Sequence, residues 1–547
     1  MKKINFKQSI AFGMALSICL GLTACGGKKN VADGSQDLEV YSVLKGYDIK
    51  WIEKALENFQ KEDWVKTKYP ELKVDFSYDD SYATAHSKLK NGKNYNTTDL
   101  IFSEALHGYA GAGNALENLT ESVYKSQVPG EDITVEEKMI SGIRENYKYG
   151  KESFEAGENV YYIYPYTAGT NGIIYNATLM KEMNEEIPLT TDQFVAACDR
   201  ISNLNNATYN KGYAIQANAN DGYWDHMFPI WWAQYSGMNK YSDFYYGLVG
   251  NSQSPDVFKD EGRLESLKVF EQIFMPNKDS DDFGYNSKKD TYKYMNSNAN
   301  AADNTYIQAQ TSFLLGAGVF HVNGDWFVTE MHNTRKELTQ DYEFAFMRTP
   351  VISSIIKVLP DKSVQDDAEL AALIKAIDAG DTALKGNEYE VTQKDYDRVK
   401  EARAVVQAGN GTAVIPNYAS AKAVAIDFLR YMATDKCILS TMEVGYGLSL
   451  PFYYDYKSVN NYEEKFEDIH RSRMDIFYSD KITIAPLPSE DSFPYGIERF
   501  YYYDMEISNL EKMISSLKTT AQTIFDNEVH YWDNAGTKWA QIIAGGV

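Results

Sequence analysis

The chain is poor in the residues on which covalent and cofactor chemistry rests. Of 547 residues only four are Cys and seven are His. The histidines (His86, His107, His226, His321, His332, His470 and His530) are scattered. No pair has the i, i+4 spacing of a helical zinc site, and Cys-x-x-Cys is missing. Gly-x-Ser-x-Gly and the P-loop pattern are also missing. Gly111-Ala-Gly113-Asn-Ala-Leu116 lacks the third glycine of a dinucleotide turn. Asp279, Asp281, Asp282 and Asp290 half-match a calcium loop, but Phe283 takes a ligand position and Asp290 is shorter than the usual Glu. No catalytic residue, metal or cofactor is expected. Basic charge is short too: 54 Lys and Arg face 77 Asp and Glu, for a net charge of −23. That excludes nucleic acid and anionic lipid as main partners, since both require a basic face. Long apolar runs and internal repeats are lacking, so residues after 37 are expected to be soluble.

Hydrophobic residues make up 44% of the chain, enough for real cores, and the length suits two or three domains. Aromatics reach 14%, with 42 Tyr. Tyr in such excess means either a packed core with hydroxyls at its rim or a surface built for amphipathic ligands.

The N-terminus reads as an export signal. Lys2, Lys3 and Lys7 precede the mostly apolar run Ile10 to Leu22, too short to span a membrane and the right length for a signal h-region. It ends in Leu22-Thr23-Ala24-Cys25-Gly26-Gly27, which resembles the bacterial lipobox. Cleavage before Cys25 would leave a lipidated Cys25 and a polar tether to residue 37. It would also remove three Lys and no acid, taking the charge from −23 to −26. Two acyl chains suffice for stable anchoring. Cys198 and Cys437 lie in or beside amphipathic helices and read as two buried thiols.

Strands are expected at Leu38–Val43, Lys73–Tyr78, Asp99–Phe102, Ile173–Tyr175 and Tyr342–Phe346. Helices are expected on the faces Ile52/Ala55/Leu56/Phe59, Phe194/Ala197/Cys198/Ile201 and Val424/Ala425/Phe428/Leu429, with a further one over Leu510 to Phe525. Thr190-Thr191-Asp192-Gln193 supplies a cap. Alternating strands and helices imply parallel sheets covered by helices. The stretch 353–412 is acidic and low in aromatics, with helices at Ala368–Ala379 and Gln393–Val406, and looks like a surface insertion.

Several segments, in order along the chain, resemble the extracellular solute-binding proteins of bacterial ABC importers, carbohydrate-binding branch. They are the lipobox, Asp99-Leu-Ile-Phe102 with Ala115-Leu-Glu-Asn-Leu119, and Tyr162-Ile-Tyr164-Pro-Tyr166 with Gly172-Ile-Ile-Tyr-Asn176 and Ile187-Pro-Leu-Thr-Thr191. Ala309–Gly316 with Asn323-Gly-Asp-Trp326, then Ala423–Asp435 with Gly445-Tyr-Gly447 and Leu450-Pro451, and finally the closing helix and Trp539 complete the set. The resemblance implies an α/β, two-lobed periplasmic-binding-protein-like fold with a hinge and an interlobe ligand cleft, plus the helical insertion. It places lobe one at 38–163 and 351–450, and lobe two at 164–350 and 451–547. It implies a monomer held to the membrane through its lipid only, at the extracellular face, which captures a carbohydrate for the ABC permease.

Sugars present apolar C–H faces and a rim of hydroxyls, which aromatic planes and carboxylates, amides or Arg can match. Trp326, in the motif where the resemblance implies a stacking aromatic, is the first candidate, with Asp325 beside it as hydroxyl acceptor. Trp231 and Trp232 are consecutive, so one could face the cleft. Parallel sheets bind ligands at the carboxyl ends of strands, which nominates Lys45, Tyr47, Ser103 and Glu104. Tyr166 follows the crossing strand and Tyr446 lies between glycines. Phe493, Tyr495 and Arg499 lie in a late aromatic loop. Two other classes remain open: a secreted glycoside hydrolase, which needs two carboxylates about 5–9.5 Å apart, and a peptide or polyamine receptor on the same fold.

Overall fold

The computed structural model describes residues 34–44, 46–91, 96–104, 106, 109, 115–149, 157–204, 214–216, 223–250, 252–274, 294–296, 306–339, 341–381, 390–408, 410–446, 448–479, 483–486, 520–534 and 536–543. The proposed lipobox and Cys25, the half-match to a calcium loop, Lys45, and Phe493, Tyr495 and Arg499 lie outside these residues, as does much of the expected closing helix.

In chain order the strands are β1 Asp37–Val43, β2 Lys73–Asp79, β3 Leu100–Ser103, β4 Tyr164–Thr167, β5 Asn171–Asn176, β6 Ile215–Gln216, β7 Leu248–Val249, β8 Ser252–Gln253, β9 Met295–Asn296, β10 Phe320–Gly324, β11 Phe344–Met347, β12 Val405–Ala408, β13 Asn410–Val414 and β14 Thr483–Pro486. They build two five-stranded sheets. The first has the order β2-β1-β3-β13-β4, with β1 parallel to β2 and β3, and β13 antiparallel to β3 and β4. The second has the order β11-β5-β10-β6-β9, with β5 antiparallel to both of its neighbours. The parallel character expected throughout therefore holds in part. The reversed strands are those that carry the chain between sheets: β4 leads into β5, and β12 into β13.

Each sheet has its own core. Helix Lys50–Lys61 buries Trp51, Ile52, Ala55, Leu56 and Phe59, one stripe of a 3.6-residue period, against the first sheet. Asp99 ties that layer together. Its Oδ2 accepts from Glu39 N–H at 2.9 Å, and its Oδ1 accepts from the N–H groups of Ser420 and Ala421, at 2.7 and 2.8 Å, where helix Lys422–Met432 begins. Helix Thr191–Ser202 covers the second sheet and is capped by Thr190, whose hydroxyl accepts from Gln193 N–H at 3.2 Å. Cys198 and Cys437 are separate, buried thiols. Burial pushes the Cys437 thiol up to about 12, so it is an inert packing group.

The packing corrects the expected insertion. Helices Asp367–Ala379 and Gln393–Ala404 form, but Leu370, Ile374, Tyr396, Val399 and Ala402 are buried with the second sheet's core rather than the first's. Val405–Ala408 is a strand, not the end of a helix. In the opposite sense Phe452, Phe466 and Met474 pack with the first core. The face this segment buries is mostly aliphatic, so its low aromatic content did not mean exposure. Among the described residues no helix is long and apolar enough to cross a membrane.

Candidate functional site

A cleft of about 720 Å³ opens where the two sheets face each other. One wall comes from the carboxyl ends of three parallel strands: Leu44, Tyr47 and Asp48 after β1, Asp80 and Tyr82 after β2, and Glu104 after β3. The other wall comes from the second unit: Tyr223, His226, Tyr306, Trp326, Thr329 and Glu330. The three strands end together because they are parallel and in register, so the loops that follow them share one rim.

Trp326 opens helix Trp326–Glu337 directly after β10. Its ring folds back over Gly324, where an added Cβ would stand 2.2 Å from the indole, so only glycine admits this pose. The indole meets Tyr47 edge-on at 6.0 Å between centroids and Tyr223 at 5.5 Å. Tyr223 in turn stacks on His226. A continuous aromatic surface thus runs from the first unit to the second. Asp48 and Tyr223 have positive φ angles of 60° and 64°, and left-handed backbone at non-glycine residues is the kind of stored strain that gathers at ligand sites.

Carboxylates interrupt the aromatics. Asp48 pairs with Lys50 at 3.0 Å. Glu104 accepts from the Tyr82 hydroxyl. Glu330 accepts from Gln310 Nε2 at 3.0 Å, and burial pushes its carboxyl up to about 7. The walls nearly touch there, since a Cβ on Gly46 would lie 2.7 Å from Glu330 Oε1 and 2.9 Å from Trp326 Cβ.

Of the residues nominated from sequence, the structure brings Trp326, Tyr47 and Glu104 together in this lining. Asp325 is beside them but turned inward. It is 2% exposed, and its oxygens accept from the Tyr47 hydroxyl at 2.9 Å, Arg473 Nη1 at 3.2 Å and Ser449 N–H at 3.3 Å. With those donors it neither caps its own helix nor faces the cleft. Burial pushes its carboxyl upward while Arg473 and Tyr47 hold it down. Trp231 and Trp232 are both fully buried. Helix Met227–Ser236 is apolar on every side and enclosed by the second core, so adjacent indoles pointing apart still meet protein. Trp231 Nε1 donates to Pro350 O at 3.1 Å, and Trp232 Nε1 to Asp260 Oδ2 at 2.6 Å. Ser103 is buried under the strand end, with its hydroxyl on Glu104 O. Tyr166 stacks on Trp51 at 4.9 Å inside the first core. Tyr446 stacks on His332 at 3.8 Å and is not among the lining residues.

Sequence reading missed Asp48, Asp80, Tyr82, Tyr223, His226, Tyr306, Thr329 and Glu330. Asp80 and Tyr82 were within reach of the same strand-end rule applied to β2. The second-unit residues carry no local signal. The described residues hold no group of His, Cys, Asp and Glu fit to bind a metal ion.

The profile of the bacterial extracellular solute-binding proteins matches residues 50–436, most of the chain and nine of the thirteen residues that line this cleft. The chain belongs to that family. No curated protein matches this binding protein in sequence. Solved structures match its fold. The bacterial solute receptor AcbH, described as exclusively preferring β-D-galactopyranose, is 13% identical, covering 93% of this chain and all of its own at a TM-score of 0.54. The Thermus thermophilus maltotriose-binding protein, bound with maltotriose, is 14% identical over 91% of this chain and 99% of its own, with a TM-score of 0.52. The GacH receptor of Streptomyces glaucescens, solved with acarbose, is 14% identical over 91% and 97%, with a TM-score of 0.53. At such identity these likenesses establish the two-lobed fold of this solute-binding protein, and the sugars named belong to the other proteins.

Proposed function

We propose that this protein is a lipid-anchored receptor that takes a carbohydrate, an oligosaccharide, into the cleft and delivers it to the membrane subunits of an ABC importer. One observation carries the reading: the cleft alternates aromatic faces (Tyr47, Tyr223, Trp326) with carboxylates (Asp48, Asp80, Glu104, Glu330). Aromatic planes suit the C–H faces of a pyranose, and carboxylates accept from its hydroxyls. A volume of about 720 Å³ suits a small-molecule ligand. The sugar-bound relatives of the same fold support this choice over peptide or polyamine. Closure of the two lobes about their crossing segments would bury the ligand. The lobe division keeps the boundaries implied by the resemblance except that 353–404 goes with lobe two. No bond is broken in this reading, so no residue is assigned to catalysis. Cys25 carries the anchor, and the protein works at the outer face of the cell membrane as a monomer.

Calorimetric titration against a panel of oligosaccharides tests the proposal. We expect at least one sugar to bind, and Trp326→Ala to lower its affinity on the order of tenfold or more, about 1.4 kcal/mol, with the fold retained. Wild-type affinity in that variant would move the site elsewhere. Shortened oligosaccharide products would replace the receptor with a hydrolase.

A further inference from the structure

The two walls of the cleft come together at Gly46 and Tyr47, in the loop after β1. Tyr47 is 3% exposed, and its hydroxyl donates to Asp325 Oδ1 of the second unit at 2.9 Å. The side chain of Thr167, at the end of β4 in Tyr47's own sheet, reaches the same hydroxyl, so the phenol bridges the sheets. Its ring meets Trp326 edge-on. Trp326 itself packs with the first sheet's core, although its helix follows β10 of the second. One residue earlier, a Cβ on Gly46 would stand 2.7 Å from Glu330 Oε1 and 2.9 Å from Trp326 Cβ. Gly46 and Tyr47 are thus seated among Asp325, Trp326 and Glu330.

Asp325 is held from its own side. Its N–H donates to Thr170 O at 2.9 Å, in the connection between β4 and β5. Its Oδ2 accepts from Ser449 N–H and Arg473 Nη1, and Ser449 O accepts from Ala168 N–H at 2.8 Å in that same connection. The acceptor is therefore fixed to a segment through which the chain crosses between sheets, and Tyr47 is the group that arrives from the first unit. A hydrogen bond to a carboxylate is roughly twice as strong as one between neutral groups. These contacts are made by protein groups alone, so they act on the balance between open and closed forms whatever the ligand adds. Apparent affinity scales with the fraction of protein in the binding-competent form.

We propose that Gly46 and Tyr47 form a catch that holds the two lobes closed, with the Tyr47 hydroxyl engaged on Asp325 rather than on the ligand. Tyr47 is then a positioning residue. Its ring lines the cleft, while its hydroxyl sets how much of the protein is closed. The proposal rests on the two-lobed fold and not on the identity of the ligand.

The test is small-angle X-ray scattering by the full chain carrying Cys25→Ser, so that no lipid contributes, with and without a saturating oligosaccharide. Two variants release the catch by different routes. Tyr47→Phe removes only the hydroxyl. Gly46→Ala sets a methyl against Trp326 Cβ, which is fixed to its helix and cannot swing aside. Each should enlarge the radius of gyration of the ligand-free protein and recover the parent radius at saturation. Sugar affinity should fall on the order of tenfold, with faster release. Tyr453→Phe, which removes a hydroxyl from an exposed side chain, should change none of these. An unchanged ligand-free radius in either folded variant would overturn the catch. If affinity still fell in Tyr47→Phe, the hydroxyl would be a ligand contact; if only the melting temperature fell, it would be ordinary packing. The ligand-free radius needs no sugar, so a panel in which none binds would defeat the carbohydrate reading and leave this test decisive.

Discussion

Glu330 sits where a carboxylate charge is costly. Among the described residues its carboxylate accepts from the amide of Gln310, and Gly46 of the opposite wall approaches it closely. Burial raises its carboxyl from 4.5 to about 7. A raised carboxyl binds its proton more tightly folded than unfolded, so its contribution to stability is complete below pH 4.5 and is lost as pH rises toward 7. The wild type should therefore lose about 3 kcal/mol across that window relative to Glu330→Gln. Chemical denaturation of both proteins at several pH values measures the difference, and parallel pH profiles would disprove it. Trp326 could be picked out from its motif. Glu330, four residues on, could not, because one exposed-face Glu on a helix looks like any other until the opposite lobe covers it.

At the scale of single elements the sequence was most legible. The periodic faces of helices Lys50–Lys61, Thr191–Ser202 and Lys422–Met432 formed where the apolar spacing put them. Helix Met227–Ser236 shows where that reading ends. Its run of apolar residues has no polar face, so periodicity could not say which Trp points where, and enclosure on all sides answered that neither meets the cleft. Trp231→Ala should therefore cost about 3–5 kcal/mol of stability by opening a core cavity. Sugar affinity of the folded fraction should stay unchanged. Urea titration and calorimetry separate the two, and a loss of affinity without a loss of stability would return Trp231 to the site.

At the scale of the whole molecule, Asp325 is the joint. It belongs to the second sheet's loop and holds Tyr47 of the first unit, Ser449 and Arg473 at once. Removing it in Asp325→Ala would strand a buried Arg473, and we expect about 3–5 kcal/mol of destabilisation, read as a lower denaturation midpoint. A loss under 1 kcal/mol would show that the network is not a structural tie. The proposed lipid anchor would act at the same scale. Cys25→Ser should shift the protein from the membrane fraction to the medium, as judged by immunoblot, and unchanged membrane retention would discard the lipobox.

The local features of this protein were legible residue by residue. Helices and strands follow from short-range spacing, and the order of motifs from residue 25 onward carried the family. The rim at the strand ends followed in turn, since parallel strands end on one side. The choice among aromatics and carboxylates was made by folding. Whether Trp326 or Trp231 meets ligand, and whether Asp325 or Glu330 lines the cleft, depends on what arrives from far along the chain. Tyr47 and Asp325 are 278 residues apart and touch. The same holds for 353–412, whose composition suggested an exposed insertion and whose two helices bury a mostly aliphatic face in the second core. Solvent access is a property of the neighbours a side chain acquires, and no window of sequence contains them.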